Sequence, residues 1–139
     1  MELAAALEFI RARSHGILIA TKSDGRPQSS NIAYAVRDDG TVVISVTDGR
    51  AKTANLRRQP QASLHVNADD FRAYAVVEAD VVVTPAATTP DDATADKLVD
   101  YYRAVAGEHS DWAYYRRAMV ADGRLVLELT PTRAYGFIG

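Results

Sequence analysis

The sequence predicts a mainly β protein with peripheral helices, an antiparallel barrel of the α+β class that forms one domain over residues 1–139. Segments rich in β-branched residues are separated by tight turns such as Ser23-Asp-Gly-Arg-Pro and Asp38-Asp-Gly, a pattern typical of hairpins. Helical patterns occur at only a few places and not after every strand. This order favours antiparallel strands over a repeating βαβ sheet.

The first part of the chain predicts one helix and three strands. Leu3, Leu7 and Ile10 share one face at helical spacing, so residues 2–13 are expected to form a short amphipathic helix. Gly25 permits the positive φ that a tight turn requires. The three predicted strands cover 16–21, 28–37 and 41–46.

A short helix and two further strands are predicted next. Asp48 is a candidate N-cap for the helix, and Pro60 lies beyond its end. The strands are expected at 61–67 and 73–84. Alternate residues of the second strand are small and apolar, as the narrow interior of a small barrel requires: Ala73, Ala75, Val77, Ala79, Val81 and Val83.

The last part of the chain predicts two helices and two closing strands. Thr89-Pro-Asp-Asp begins the first helix with a capping residue, a proline at the first helical position and acids at the positive end of the dipole. Gly107 ends that helix, and Ser110 is the expected cap of a second helix over 111–121. The closing strands are predicted around Pro131, at 125–129 and 133–138.

Composition and charge exclude several classes of function. The formal net charge of −2 gives no overall attraction to nucleic acid or to an anionic membrane. No segment approaches the roughly 20 apolar residues of a membrane span, and the first residues lack the features of a signal peptide. We therefore expect a cytoplasmic protein without a nucleic-acid or membrane partner.

The sequence also excludes several kinds of metal site and several catalytic motifs. The chain has no cysteine, which excludes disulfides and thiolate sites, and its histidines lie far apart without a ligand pattern, so no metal is expected. Dinucleotide, nucleoside-triphosphate and nucleophile-elbow motifs are missing. No spacing selects a catalytic acid or base, and the catalytic residues stay unassigned.

The one positive signal is Arg50-Ala-Lys-Thr, which follows a strand and a turn at the start of a helix. Free backbone N–H groups and the helix dipole favour an anion there. Arg50 offers a planar fork of donors, Lys52 a mobile charge and Thr53 a hydroxyl. A solvated helix face is the alternative interpretation of the same residues.

The sequence resembles a known family over most of its length, from about 16 to 136. Gly25-Arg-Pro-Gln-Ser-Ser-Asn and Arg50-Ala-Lys-Thr-Ala-Asn-Leu-Arg-Arg resemble the pyridoxamine 5'-phosphate oxidase-like, FMN-binding split β-barrels. The match is most similar to the actinobacterial branch that uses the deazaflavin coenzyme F420. Further matching segments are Asn67-Ala-Asp-Asp, Gly107-Glu-His-Ser-Asp-Trp and Ala134-Tyr-Gly.

The resemblance implies a Greek-key-like split barrel that forms a homodimer, with two equivalent coenzyme sites at the interface. It implies that Arg50, Lys52 and Thr53 hold the phosphate. The polar residues expected near the ring and its side chain are Gln28, Ser30, Asn31 and Ser45.

Two further groups of residues are expected around the coenzyme. Tyr74 of the partner subunit would pack beside it. Arg57, Arg58 and Arg72 are candidates for the acidic tail of F420, with a solvated surface as the alternative. Arg72 stands where the branch often has an aromatic residue.

The function that follows is an oxidoreductase that uses reduced F420 as hydride donor to a small planar or conjugated substrate. The coenzyme carries the difficult chemistry, and the protein supplies binding and orientation. The alternatives are an FMN-dependent oxidoreductase of the same fold and a carrier that binds F420 without turnover. Oxidation of pyridoxamine phosphate itself ranks lower, because the sequence shows no second phosphate site.

Overall fold

A computed structural model describes all 139 residues, Met1–Gly139. Seven antiparallel strands form one sheet that curls into a split half-barrel, with four helices packed around it. The predicted mainly β fold is confirmed. The strands are β1 (His15–Thr21), β2 (Pro27–Ala33), β3 (Ala35–Val36), β4 (Val42–Thr47), β5 (Gln61–Asn67), β6 (Tyr74–Val83) and β7 (Arg124–Phe137). The helices are α1 (Leu3–Arg11), α2 (Ala51–Arg58), α3 (Ala93–Ala106) and α4 (Trp112–Ala121).

The sheet runs in the order β2-β1-β5-β6-β7-β4-β3. Only Tyr34 separates β2 from β3, so one stretch of chain pairs with β1 at one edge and with β4 at the other. The strand predicted over 28–37 is thus divided at Tyr34. Its buried side chain donates a hydrogen bond of 2.6 Å to the carbonyl of Ile10, which fixes the bend against α1.

The concave face of the sheet holds the main core. Ala75, Val77, Ala79 and Val81 are buried on β6, as the alternation of small apolar residues predicts. Large side chains from the neighbouring strands fill the space between them and α1. Each fully buried leucine or isoleucine contributes about 1.5–3 kcal/mol through removal of apolar surface from water. The largest include Ile10, Leu18, Ile44, Leu56, Leu64 and Leu127.

A second, smaller core joins α3 and α4 to the other face of the sheet. Leu98 and Val99 of α3 pack with Val43, Val126 and Tyr115. The Tyr115 hydroxyl donates to the carbonyl of Leu98 at 2.9 Å, and burial raises its pKa to about 12. This packing holds α3 beside β4. None of the four helices combines the length and the hydropathy needed to cross a bilayer.

The predicted helix caps were wrong in three places. At α2 the N-cap is Arg50, and Asp48 forms an ion pair with Arg57 instead. Asp92, not Thr89, caps α3, and Asp111, not Ser110, caps α4. In each of the last two helices the aspartate carboxylate accepts a hydrogen bond from the backbone N–H three residues on, at Ala95 and at Tyr114.

The two predicted closing strands form a single strand, β7. Its pairing with β6 is irregular between Glu78 and Ala79, next to Pro131, which has no N–H to donate. Farther along, Gly136 adopts φ +142°, and a Cβ there would collide with the carbonyl oxygen of Tyr74. The strand therefore absorbs the proline as a local irregularity and continues past it.

Candidate anion-binding site

A cleft of about 260 Å³ lies where the end of β2, the end of β4 and the start of α2 meet. We call it the anion cleft. It brings together four of the residues predicted for the site, which are Asn31, Ser45, Arg50 and Lys52. Its full lining is Asn31, Ile32, Ala33, Ser45, Val46, Thr47, Arg50, Lys52 and Arg124.

The anion cleft contains three cations and no acidic residue. Burial lowers the pKa of Lys52, and the neighbouring charges of Arg50 and Arg124 lower it further. The Nε atom of Arg124 is buried and has no hydrogen-bond partner. Both observations indicate that the cluster lacks a negative group, because a bound anion would pair with the guanidinium and relieve the repulsion around Lys52.

The first turn of α2 adds backbone donors to the same place. The cap residue Arg50 has no side-chain oxygen, and the backbone N–H groups of residues 51–53 have no hydrogen-bond partner. These groups form the positive end of the helix dipole. Free amides and cations together are the arrangement that binds phosphate at helix N-termini.

Thr53 lies below this first turn and not on its surface. Its side chain is fully buried, and its hydroxyl donates a 2.9 Å hydrogen bond to the carbonyl of Thr47. This hydrogen bond therefore fixes the loop between β4 and α2. Its backbone N–H is one of the three free amides in the first turn of α2.

Tyr101 of α3 connects the two sides of the cleft. Its hydroxyl donates to the carbonyl of Ala33 at 2.9 Å, and burial raises its pKa, although a hydrogen bond from the backbone of Ser45 opposes that shift. Since Ala33 belongs to β2 and Ser45 to β4, this side chain sets the separation of the two strands.

Gln28 and Ser30 do not share a face with Asn31. Side chains alternate along a strand, and Gln28 and Ser30 point together toward α2, where Gln28 Nε2 donates to Ser30 Oγ at 2.8 Å. Asn55 Nδ2 of α2 donates to Gln28 Oε1 at 3.4 Å. Asn31 lies on the opposite face, and its side chain makes no hydrogen bond within the chain.

The arginines predicted for a coenzyme tail are engaged within the chain. Arg57 forms an ion pair with Asp48, and Arg58 donates to the carbonyl of Thr21 at 2.6 Å and to Asn55 Oδ1 at 3.1 Å. Both lie in the last turn of α2, away from the free amides of its first turn.

Tyr74 and Arg72 lie at another end of the sheet. Tyr74 begins β6 and stacks on His65, with ring centroids 5.2 Å apart. Arg72 is in the turn before it, next to Phe71, which has φ 66° and is 79% exposed. The exposed aromatic residue of this turn is thus one position before Arg72.

A second cavity of about 540 Å³ adjoins the anion cleft and shares Asn31, Ile32 and Ala33 with it. We call it the histidine pocket, since two of the three histidines line it. Its lining is His15, Gly16, Ile17, Asn31, Ile32, Ala33, His65 and Asn67. Tyr74 backs it through its contact with His65.

Sequence reasoning missed Arg124, which lines the anion cleft, and Tyr101, whose hydroxyl donates to the carbonyl of Ala33 at its wall. Arg124 is a single arginine before an apolar run, and it reaches the cleft because it pairs with Thr47 across β4 and β7. Tyr101 is one of several aromatic residues on α3 and α4. No local pattern distinguishes either residue, because their positions follow from long-range strand pairing and helix docking.

Comparison with known proteins identifies the fold. The model of the pyridoxamine 5'-phosphate oxidase family matches residues 3–137. A conserved hypothetical protein, Rv2991 from Mycobacterium tuberculosis, is 19% identical with a TM-score of 0.75, over 99% of this chain and 84% of that one. The structure of an F420 reductase is 24% identical with a TM-score of 0.62, over 92% of this chain and 94% of that one.

Proteins with this architecture have different functions. HutZ, a heme storage protein from Vibrio cholerae, is 15% identical with a TM-score of 0.69, over 97% of this chain and 94% of that one. At identities this low, the structural similarity shows a shared fold alone. The ligand and the activity have to be argued from the residues of the site.

Proposed function

The chain belongs to the pyridoxamine 5'-phosphate oxidase family, and on that premise we propose that it is an oxidoreductase that holds the phosphate of coenzyme F420 in the anion cleft. FMN is the alternative coenzyme, since it also carries a phosphate on a ribityl chain. The proposal depends chiefly on one observation. Three cations line the cleft at the start of α2, whose first three amides are free, and no acid lines the cleft to neutralise them.

The residues divide the binding task by their chemistry. The guanidinium groups of Arg50 and Arg124 can each donate two parallel hydrogen bonds to phosphate oxygens, and Lys52 adds a mobile charge. The free backbone N–H of Thr53, in the first turn of α2, would add a donor. Hydrogen bonds to charged groups contribute about 1.5–3 kcal/mol each. Their sum is sufficient to anchor one end of an extended ligand.

The rest of the coenzyme would extend from the cleft along β2 and β4. Ser45 lines the cleft, Asn31 lines both cavities, and their polar groups suit the edge of a heteroaromatic ring. Gln28 and Ser30 would support β2 from its other face through their mutual hydrogen bond. When bound, the reduced coenzyme supplies the hydride, while the protein binds, orients and shields it.

A tail of glutamates distinguishes F420 from FMN, and Arg57 is the residue we propose for it. Arg57 already pairs with the exposed Asp48, so a tail carboxylate would exchange with that side chain. Exposed ion pairs contribute about 0.2–1 kcal/mol, which makes the exchange easy. The structural similarity to an F420 reductase adds support for the deazaflavin.

A homodimer is part of the proposal. Large apolar side chains are exposed around the end of β7 and the turn before β6, where a second copy would cover them and bring Tyr74 and Arg72 close to its coenzyme. They are Phe71 at 79%, Phe137 at 62%, Tyr135 at 51% and Ile138 at 42% exposed. We propose the cytoplasm as the location, in keeping with a chain without cysteine.

Calorimetric titration of the protein with F420, FMN and riboflavin tests the proposal. Riboflavin has the ring and the ribityl chain of FMN but no phosphate. If the anion cleft carries the binding, riboflavin should bind at least about tenfold more weakly than FMN, and F420 should bind more tightly than FMN. Equal binding of FMN and riboflavin would remove the basis of the proposal.

A carrier without turnover is the second candidate, favoured by the lack of any residue selected as acid or base. The two functions are separated by loading the protein with reduced F420 and mixing it with enones, quinones and nitroaromatics. Oxidation of the coenzyme well above the protein-free rate supports the oxidoreductase. Tight binding with no acceleration for any acceptor supports the carrier.

A further inference from the structure

We propose that Lys52 is a site of carbamate formation, at which carbon dioxide adds to the side-chain amine and the product lies in the anion cleft. The lone pair of Lys52 Nζ forms a bond to the carbon of CO₂, one electron pair of a C=O bond moves onto its oxygen, and one proton passes from the nitrogen to solvent. No oxidant, reductant or leaving group is required. The reaction depends on the residues of the cleft and not on a coenzyme.

The chain contains three lysines, and each has a different electrostatic environment. Lys22 is exposed after the end of β1, and its side chain makes no hydrogen bond within the chain. Lys97 is held as an ammonium group in an ion pair of 2.9 Å with Glu128. Burial lowers the pKa of Lys52, and two neighbouring guanidinium groups lower it further. CO₂ reacts only with the neutral amine, so the fold favours the reactive form at Lys52.

The two arginines that disfavour the ammonium form of Lys52 stabilise the carbamate. Addition of CO₂ replaces one cation of the cleft with an anion, so that Arg50 and Arg124 neighbour a negative group instead of a third positive one. The buried Nε atom of Arg124, which has no partner within the chain, gains an acceptor. The cleft measures about 260 Å³, which is ample for a carboxylate.

The chain already contains the arrangement that the carbamate would create. The carboxylate of Glu128 lies between two cations and accepts hydrogen bonds from Arg37 at 2.7 Å and from Lys97 at 2.9 Å. A carbamate on Lys52, between the two arginines of the anion cleft, has the same composition of one carboxylate and two cations. The modified lysine thus supplies the negative group that the cleft lacks in its own sequence.

Carbamate formation and the binding of an external anion exclude each other. The modification removes the positive charge of Lys52 and places a negative charge where a phosphate would lie. By linkage, CO₂ lowers the affinity for phosphate by the same factor by which phosphate lowers the affinity for CO₂. The modification therefore closes the cleft to anionic ligands when carbon dioxide is abundant.

The test follows labelled carbon dioxide in the coenzyme-free full chain. Carbon NMR in ¹³C-bicarbonate separates the carbamate signal from those of bicarbonate and CO₂. Methylation with trimethyloxonium traps the carbamate, and peptide mapping by mass spectrometry locates it. We expect trapping at Lys52 to exceed that at Lys22 and Lys97 at least about tenfold, the factor that one hydrogen bond to a charged group supplies. The amino group of Met1 also reacts, and its peptide is resolved separately.

Lys52→Arg keeps the cation and removes the nucleophile, so the carbamate assigned to this position should disappear. Lys97→Arg is the matched control and should retain it, because the ion pair with Glu128 lies outside the anion cleft. Inorganic phosphate should suppress trapping at Lys52 and leave Lys22 unchanged. Trapping at Lys52 no greater than at Lys22, or insensitive to phosphate, would overturn the assignment. Bicarbonate that binds without being trapped would be an adventitious ion only and would overturn it too.

Titration with F420 and FMN, in buffers with and without bicarbonate, separates this assignment from the proposed function. If neither coenzyme binds in either buffer but Lys52 is labelled, the carbamate stands and the oxidoreductase proposal fails. If the coenzymes bind equally in both buffers and Lys52 is not labelled, the carbamate assignment fails alone.

Discussion

Two groups of cations lie beside β7, four residues apart along the strand, and they differ in whether an acid is present. At Glu128, which pairs with Val43 of β4, the carboxylate accepts hydrogen bonds from Arg37 at 2.7 Å and Lys97 at 2.9 Å. Arg124 pairs with Thr47, at one end of the pairing between β4 and β7. The cations of the anion cleft, to which Arg124 belongs, have no carboxylate among them.

The pKa values report the same contrast. Burial alone would raise the pKa of Glu128, but hydrogen bonds from Lys97 and Arg37 outweigh it and lower the pKa. In the anion cleft, burial and two like charges lower the pKa of Lys52, so the charged form is disfavoured. A folded chain satisfies its structural cations internally, and a group of cations left without an acid is expected to serve a ligand.

The largest effect expected concerns coenzyme binding. Lys52→Ala should weaken the affinity for F420 and FMN by about 1.5–3 kcal/mol, because a hydrogen bond to charged phosphate is lost. The fold should be unaffected, since removing one of three neighbouring like charges relieves repulsion. Calorimetry and urea unfolding measure the two quantities. Lys97→Ala, in the paired cluster formed by Arg37, Lys97 and Glu128, is the matched control and should leave the affinity unchanged. If Lys97→Ala weakened the affinity and Lys52→Ala did not, the anion cleft would not be the coenzyme site.

The pH dependence of affinity sharpens the comparison. Lys52 has a lowered pKa in the free protein, and a bound phosphate would raise it. Affinity should therefore be fully present at pH values below the lowered pKa and should fall as the pH rises through the raised pKa of the complex. Lys52→Arg should bind with little change over the same range, because arginine stays charged. A parallel fall in both proteins would assign the titration to another group.

A substitution in the paired cluster should change the free energy of unfolding and not the affinity for the coenzyme. Glu128→Gln should lower the free energy of unfolding by about 1 kcal/mol, since the acceptor shared by two partly exposed cations loses its negative charge. The lowered pKa means that this contribution is present above the ordinary value of 4.5 and is lost as the pH falls through the folded-state value. Urea unfolding at neutral and acidic pH should show the difference between the two proteins shrinking. A constant difference would contradict the ion-pair explanation.

The smallest effect is expected at the far end of α2. Arg57→Ala should weaken F420 binding by about 0.2–1 kcal/mol, in a salt-dependent manner, and should leave FMN binding unchanged. Calorimetry at low and high salt measures it. Equal losses for both coenzymes would rule out a contact with the tail.

The sequence predicted the fold where local patterns and packing agree. The alternating small residues of β6 predicted its buried face, and the β-branched run at 41–46 predicted β4 within one residue. Helix starts were less accurate, because several hydroxyl and carboxyl side chains compete for the same free amides. At α2 the start has no side-chain cap, and Asp48 pairs with Arg57.

The candidate site was predictable where a local motif or the family resemblance marks its residues, and the resemblance had indicated Asn31 and Ser45. Arg50 and Lys52 were found because they flank one helix start. Arg124 was not, because only the pairing of β7 with β4 brings it there. The separation of Asn31 from Gln28 and Ser30 follows from the alternation of β2, but which face meets the cleft depends on how the sheet curls.

A crystal structure of the protein with F420 tests the central claim most directly. We predict the phosphate in the anion cleft, with oxygens within hydrogen-bond distance of Lys52 Nζ, the Arg124 guanidinium and the backbone N–H groups that begin α2. A phosphate bound elsewhere, with those three donors facing only water, would contradict it.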